Sequence, residues 1–113
     1  MPQNRKKLVE LFIGNLSNAI VHQVSLAATD KEEIASKYKK ELETSLSISK
    51  VYREKINPKN YSLSEKDIEY IKIQVSNKAI SELKKRISQG YKNIDLSLIK
   101  ELVDKALKDT KII

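Results

Sequence analysis

The sequence predicts a single all-α domain, a bundle of four helices spanning residues 1–113. Apolar residues recur at three- and four-residue intervals through most of the chain, which is the period of an amphipathic helix. Nowhere do apolar and polar residues alternate over more than about five residues with turn residues at both ends, so no strand is predicted. A chain of 113 residues fits one domain and can bury a core without disulfides.

The most apolar segment, residues 8–28, is predicted to be the core of a central helix over residues 5–28. On a helical wheel its large apolar residues cover an arc of about 160°, wider than the stripe of roughly 100° on an ordinary surface helix. Such a helix needs more than one neighbour. The opposite side carries small or short residues and is either solvated or approached by a partner helix. The candidate partner face consists of Gly14, Ser17, Asn18, Val21 and Ser25.

The same segment is about as long as a membrane span, which takes roughly 20 apolar residues. A membrane helix is not expected, because Glu10, Asn15 and His22 interrupt it. A carboxylate alone costs about 2.5 to 3.5 kcal/mol at the centre of a bilayer. The basic N-terminus resembles the start of a signal peptide, but Glu10 and Asn15 break the apolar region that follows. With no cysteine in the chain, we expect a cytoplasmic protein without a membrane partner.

A second helix is predicted over residues 30–56, with Asp30 as its N-cap and Glu33 at the capping-box position. Its apolar stripe includes Ser45 and Ser49 and is therefore weaker than that of the first helix. No glycine or proline separates the two helices, and their stripes are nearly in phase. One continuous helix of roughly 50 residues, about 75 Å long, is the alternative, and such a rod would have to dimerise. We favour the break because a compact monomer core is the simpler solution.

The clearest boundary in the chain is Asn57-Pro58, because proline cannot continue a helix and restricts the residue before it. The third helix is predicted over residues 64–89, with Ser64 as its N-cap and with Leu63 and Ile68 as a hydrophobic staple. Its apolar residues span an arc of about 200°. We therefore expect the first and third helices to be the most buried.

Gly90 is predicted to close the third helix in the left-handed conformation, and Asp95 to cap a fourth helix over residues 95–109. The final Ile112-Ile113 pair either packs onto the bundle or forms a contact surface. Helix, glycine turn and helix follow in the order of a DNA-binding helix-turn-helix. That motif is not favoured, because Arg86 stands four residues before the glycine, where a small residue is usual.

The sequence has no pattern typical of an enzyme, a metal site or a cofactor site. No catalytic, metal-ligating or cofactor-binding residue is therefore predicted, and an enzyme is the less favoured interpretation. His22 is the only histidine, and the residues four positions away, Asn18 and Leu26, are not usual zinc ligands. Gly14 and Gly90 are isolated and form no glycine-rich phosphate loop. His22 is expected at the boundary between the polar and apolar faces, with a proton shuttle or a lone ligand as the alternative.

The net charge of +7 makes nucleic acid a second candidate partner. The basic residues are spread along the chain, and only three of the 22 are arginines, the residues that make bidentate contacts to phosphate and guanine. A non-specific RNA- or DNA-binding protein would use basic residues on the backbone and loop tyrosines on the bases. The candidate nucleic-acid contacts are Arg5, Lys6, Lys7, Tyr61, Tyr91 and Lys92.

The first functional hypothesis is a non-enzymatic interaction module. It would associate with itself or bind a protein partner through the candidate partner face or the apolar C-terminus. Nucleic-acid binding through dispersed lysines and loop tyrosines is the alternative.

Overall fold

The computed structural model describes residues 5–56 and 63–113, and every regular element in these ranges is helical. The elements are α1 Arg5–Ala28, α2 Glu32–Ile56, α3 Glu65–Ser88, a 3₁₀ turn at Leu96–Leu98 and α4 Ile99–Asp109. The predicted all-α class and its four helices are thereby confirmed. The fourth α-helix begins later than predicted, because the 3₁₀ turn occupies the segment that Asp95 caps. None of the described helices combines the length and hydrophobicity that a bilayer crossing requires.

α1 is the central helix, because α2, α3 and α4 all pack on it. Eleven of its 24 residues are buried, against four in α3, four in α4 and three in α2. Its largest fully buried side chains are Phe12, Ile13, Leu16, Ile20 and Val24. Taking each such side chain out of water contributes about 1.5–3 kcal/mol. The core is therefore built around α1.

α3 is less enclosed than its broad apolar arc suggests. Val75 and Leu83 are fully buried, whereas Ile73 and Ile87 are 46% and 42% exposed. The reason is that α3 packs on α1 and α4 but makes almost no contact with α2, so only part of the arc meets a neighbour. α3 has the second-highest number of buried residues after α1, the same number as the much shorter α4.

α1 and α2 form an antiparallel pair and not one continuous rod. Residues 29–31 are non-helical, and α2 turns back so that His22 Nδ1 of α1 lies 3.2 Å from Glu41 Oε2 of α2. The favoured break between the helices is confirmed. α2 begins at Glu32, so the predicted N-cap Asp30 lies outside the helix.

α2 packs chiefly on α1 and is the most peripheral helix. Ile56 is its only buried apolar residue, while Ile48 and Val51 are exposed. Ser49 is fully buried, and its hydroxyl donates a hydrogen bond to the Ser45 carbonyl at 2.8 Å, so burial leaves no unsatisfied donor. The serines make this stripe the weakest of the long helices, as the sequence predicts.

The C-terminal residues pack back onto the bundle. α4 ends in a Schellman motif, in which the Ile112 N–H donates to the Leu107 carbonyl at 2.8 Å and the Lys111 N–H to the Lys108 carbonyl at 3.0 Å. Ile112 is buried, whereas Ile113 is 54% exposed. Of the two terminal isoleucines, one therefore belongs to the core and one reaches the surface.

Arg53 of α2 holds this C-terminal segment. Its Nε and Nη2 atoms donate to the Lys111 carbonyl at 3.1 and 3.0 Å, and the residue is only 4% exposed. A hydrogen bond from a charged donor contributes about 1.5–3 kcal/mol. Arg53 thus ties the end of α2 to the end of the chain, a contact that the sequence pattern did not predict.

α3 ends in a second Schellman motif at the predicted glycine. Gly90 has a φ of 99°, its N–H donates to the Ile87 carbonyl at 3.0 Å, and the Tyr91 N–H donates to the Arg86 carbonyl at 3.1 Å. The motif fixes the backbone of Tyr91 beside the last turn of α3. Ten residues separate α3 from α4, more than the three or four of a helix-turn-helix.

The two glycines are expected to respond in opposite directions to replacement by alanine. Gly90→Ala should lower the free energy of unfolding by about 1 kcal/mol, because a Cβ disfavours the positive φ. Gly14→Ala should raise it by about 0.5–1 kcal/mol, because a Cβ in the middle of α1 would meet no atom within 4 Å. Urea denaturation measures both changes. A destabilised Gly14→Ala protein would contradict the open surroundings of Gly14.

Lys111 is expected to be strained by its backbone conformation, since its φ of 60° lies in the left-handed region. Lys111→Gly should raise the free energy of unfolding by up to about 1 kcal/mol. Lys108→Gly, one turn earlier in α4, is the matched control and should lower it by about 1 kcal/mol. Thermal denaturation compares them. Equal losses in the two variants would show that α4 is not closed by this motif.

Candidate functional site

The candidate partner face of α1 lies only partly at the surface. Ser17, Val21 and Ser25 are 5%, 3% and 4% exposed. Gly14 is half-buried, and Asn18 is exposed. Three of the five predicted residues are therefore enclosed by the chain itself, and the surface open to a partner is narrower than predicted.

α3 covers one edge of that face. Arg86 Nη1 of α3 donates a hydrogen bond to Ser25 Oγ at 3.1 Å, and Tyr70 Oη donates to Glu10 Oε1 at 2.5 Å. Glu10 precedes Ser25 in α1, and their partners Tyr70 and Arg86 follow in the same order in α3. The two helices therefore run parallel. Helical periodicity identifies small residues on α1 but does not tell which neighbour will use them. At Ser25 that neighbour is α3.

The part of α1 left exposed is a narrow strip between α2 and α3. At 100° per residue, Leu11 and Asn18 fall between His22, which contacts α2, and Ser25, which contacts α3. Leu11 is 36% exposed, and a Cβ on Gly14 would meet no atom within 4 Å. Since α2 and α3 make almost no contact with each other, we infer that this strip lies in an open channel between them. We name this channel the α1 groove; Leu11 and Asn18 lie on its floor, and Gly14 lies at its α3 edge.

The α2 wall of the α1 groove carries apolar side chains. Ile48 and Tyr52 of α2 lie seven and eleven residues after Glu41, on the same side of the helix. Glu41 contacts His22, and α2 runs antiparallel to α1, so these later residues of α2 come beside Leu11, an earlier residue of α1. Ile48 is 39% exposed and Tyr52 is half-buried. Tyr70 of α3 is 42% exposed but lines a different cavity, together with Val9 and Glu10 of α1. The α2 wall and the floor can therefore contact the apolar side of a docked segment.

A second concave site lies where α1 and α2 meet the connection between α3 and α4. We name it the end cleft; it is open and has a volume of about 370 Å³. α2 supplies Ile34 and Tyr38, and the α3–α4 connection supplies Tyr91 and Lys92. Lys31, in the turn between α1 and α2, completes the basic lining. Two of the candidate nucleic-acid contacts, Tyr91 and Lys92, thus lie in one cleft.

Both tyrosine rings of the end cleft are supported from inside the protein. Tyr38 stacks on His22 with ring centroids 6.2 Å apart and planes inclined by 30°. The Arg86 guanidinium carbon lies 5.9 Å from the centroid of the Tyr91 ring. Tyr91 nevertheless remains 49% exposed. The cleft therefore presents aromatic surface that is already held in place.

The remaining candidate nucleic-acid contacts are not brought to the end cleft. Arg5, Lys6 and Lys7 are exposed at the start of α1, and the 24 residues of that helix place about 36 Å between its ends. Arg5 Nη2 donates to Asp67 Oδ2 of α3 at 2.7 Å, and this hydrogen bond is the main reason that the pKa of Asp67 is lowered. Tyr61 lies outside the described residues. The described candidates thus divide between opposite ends of the bundle.

His22 occupies the edge of α1 between the α1 groove and the end cleft. Its side chain is 16% exposed, and its Nδ1 contact with Glu41 is favourable only when that nitrogen carries a proton. Burial is the largest influence on the imidazole and lowers the pKa of His22. Glu41 raises this pKa and Arg86 lowers it, both to a smaller extent. His22 is therefore neutral at pH 7.

Within residues 5–56 and 63–113, no three histidine, cysteine, aspartate or glutamate side chains come together as metal ligands. The chain matches no known protein family, curated protein or solved structure.

Stability in mildly acidic solution should depend on His22. Because its pKa is lower in the folded than in the unfolded chain, the unfolded chain takes up the proton more readily. The free energy of unfolding should therefore fall as the pH drops below about 6.5, towards the folded-state pKa. In His22→Gln, the difference between the free energies of unfolding at about pH 7.5 and about pH 5.5 should be smaller than in wild type.

Urea denaturation at the two pH values tests this expectation. Asp67 does not interfere, because its unfolded-state pKa is about 3.9 and its contribution is lost only at lower pH. The same pH dependence in wild type and His22→Gln would contradict the dominant effect of burial on His22.

Proposed function

We propose that the chain is a non-enzymatic interaction module that binds a helix in the α1 groove, either from a protein partner or from a second copy of itself. The observation that carries this proposal is the uncovered strip of the central helix at Leu11, Gly14 and Asn18. Two helices flank this strip without meeting each other. A further helix would remove Leu11 from water and occupy the space between them.

A helix is the element that suits this channel. α2 and α3 flank the channel on either side, and helix-in-groove recognition uses such a channel to bury one apolar stripe. The space above Gly14 is open, since even a Cβ there would meet no atom within 4 Å, so there is room for a docked helix. Leu11 and Ile48 would contact its apolar stripe, and its polar side would stay in solvent.

A binding role is favoured over catalysis because the one histidine has a structural position. His22 of α1 stacks on Tyr38 of α2, and this ring contact supports the packing of α2 on α1. A cytoplasmic location belongs to the same proposal, since a sequence without cysteine suits a reducing compartment.

The proposal predicts an assembly that a large side chain in the α1 groove abolishes. Wild-type protein at high concentration should show a mass above that of the monomer in light scattering. Gly14→Trp should return it to the monomer, because the indole fills the groove. Gly14→Ala is the matched control and should assemble like wild type, because its methyl group leaves the channel open.

Circular dichroism and urea denaturation establish that Gly14→Trp is folded. If wild type is monomeric, helical peptides selected from a displayed library should bind both wild type and Gly14→Ala. Their affinity for Gly14→Trp should be at least about tenfold lower. A tenfold loss corresponds to about 1.4 kcal/mol, which is expected for one blocked contact. Unchanged assembly of Gly14→Trp would overturn the proposal. So would a monomer that selects no peptide sensitive to this substitution.

A further inference from the structure

The aromatic surface of the end cleft is prepared for stacking before any ligand binds. The Schellman motif at Gly90 fixes the backbone of Tyr91, and Arg86 supports one side of its ring. His22 supports Tyr38 in the same way. Side chains that are already ordered lose little freedom on binding, which favours the affinity of a flat ligand. Nucleic-acid bases are flat ligands that stack on tyrosine.

The charge of the end cleft is suited to phosphate. Lys31 and Lys92 come from two different connections of the chain and line the same cleft, and Asp30 is its only acidic lining residue. Arg86, in contact with the Tyr91 ring, adds a positive charge that Glu82, 3.6 Å away, partly offsets. Lysine side chains bind phosphate oxygens as point charges and do not depend on base sequence.

The shape of the end cleft admits a nucleotide within a strand. Its volume of about 370 Å³ lies within the range of roughly 300–1,000 Å³ of small-molecule sites. The cleft is open, so a chain could enter and leave it. Asn93 also lines it, and its side-chain amide offers both a donor and an acceptor to a base edge.

We propose that the end cleft is a nucleotide site that stacks a base of single-stranded RNA or DNA on Tyr91, with Tyr38 beside it and with Lys31 and Lys92 on the phosphates. Tyrosine with neighbouring lysines is the combination that sequence-tolerant single-strand binders use. The site is separate from the α1 groove and does not depend on the function proposed for that groove.

Fluorescence anisotropy of short labelled single-stranded RNA and DNA at about 50 mM salt tests the site. Tyr91→Ala should weaken binding by about tenfold, because one base loses its stacking partner. Tyr70→Ala is the matched control, since Tyr70 is similarly exposed but lies near the start of α3, at the opposite end of that helix from the end cleft, and it should leave the affinity unchanged. Lys92→Glu should weaken binding and reduce its salt dependence, whereas Lys7→Glu, with the same change in net charge, should do neither.

Adenosine monophosphate as a competitor distinguishes the two sources of the ligand. If adenosine monophosphate displaces the labelled oligonucleotide, a free nucleotide is sufficient to occupy the end cleft. If oligonucleotide binding depends on Tyr91 but adenosine monophosphate does not displace it, the strand is the ligand. Absence of binding at about 50 mM salt would overturn the proposal. Equal losses of oligonucleotide affinity in Lys92→Glu and Lys7→Glu, with no loss in Tyr91→Ala, would also overturn it. So would a protein that binds peptides through Tyr91 but does not bind oligonucleotides. Gly14→Trp should not change oligonucleotide binding, so failure of one site is separable from failure of the other.

Discussion

Burial of α1 is the constraint on which the rest of the structure depends. The eleven buried residues of α1 extend over a wide arc of the helix, so α1 needs more than one neighbour, and α2, α3 and α4 each pack on it. Helices placed around a central one need not touch each other, and α2 and α3 hardly do. The α1 groove is the space that results. It follows from a bundle with one central helix, whereas four equivalent helices would enclose a shared core.

The helix limits could be predicted well because their signals are local. Ser64 Oγ accepts the Asp67 N–H at 3.2 Å, and Gly90 closes α3 with a positive φ, each within a few residues of the helix end that it controls. Asp30 shows the limit of this reasoning. No proline or glycine fixes the break there, so the start of α2 depends on how it packs against α1, and that start moves to Glu32.

Contacts between distant parts of the chain could not be predicted in this way. Arg53 and Lys111 are 58 residues apart, and Arg86 and Ser25 are 61 apart. Periodicity shows that one side of a helix is apolar or small, but not which neighbour covers it. For the same reason Ser25 could be placed on a small-residue face, yet its burial by α3 appeared only in three dimensions. The sequence indicated Tyr91 and Lys92 as neighbours in a connection, and tertiary packing added Tyr38 and Lys31.

Arg86 connects the two candidate surfaces physically. Its guanidinium donates to Ser25 of α1, lies 3.6 Å from Glu82 of its own helix and contacts the Tyr91 ring. The position of Tyr91 in the end cleft therefore follows the position of α3 relative to α1. Those same two helices bound the α1 groove. A movement of α3 relative to α1 would have to break the bond to Ser25 or carry Tyr91 along with α3, so the Arg86–Ser25 bond holds Tyr91 in position over the end cleft.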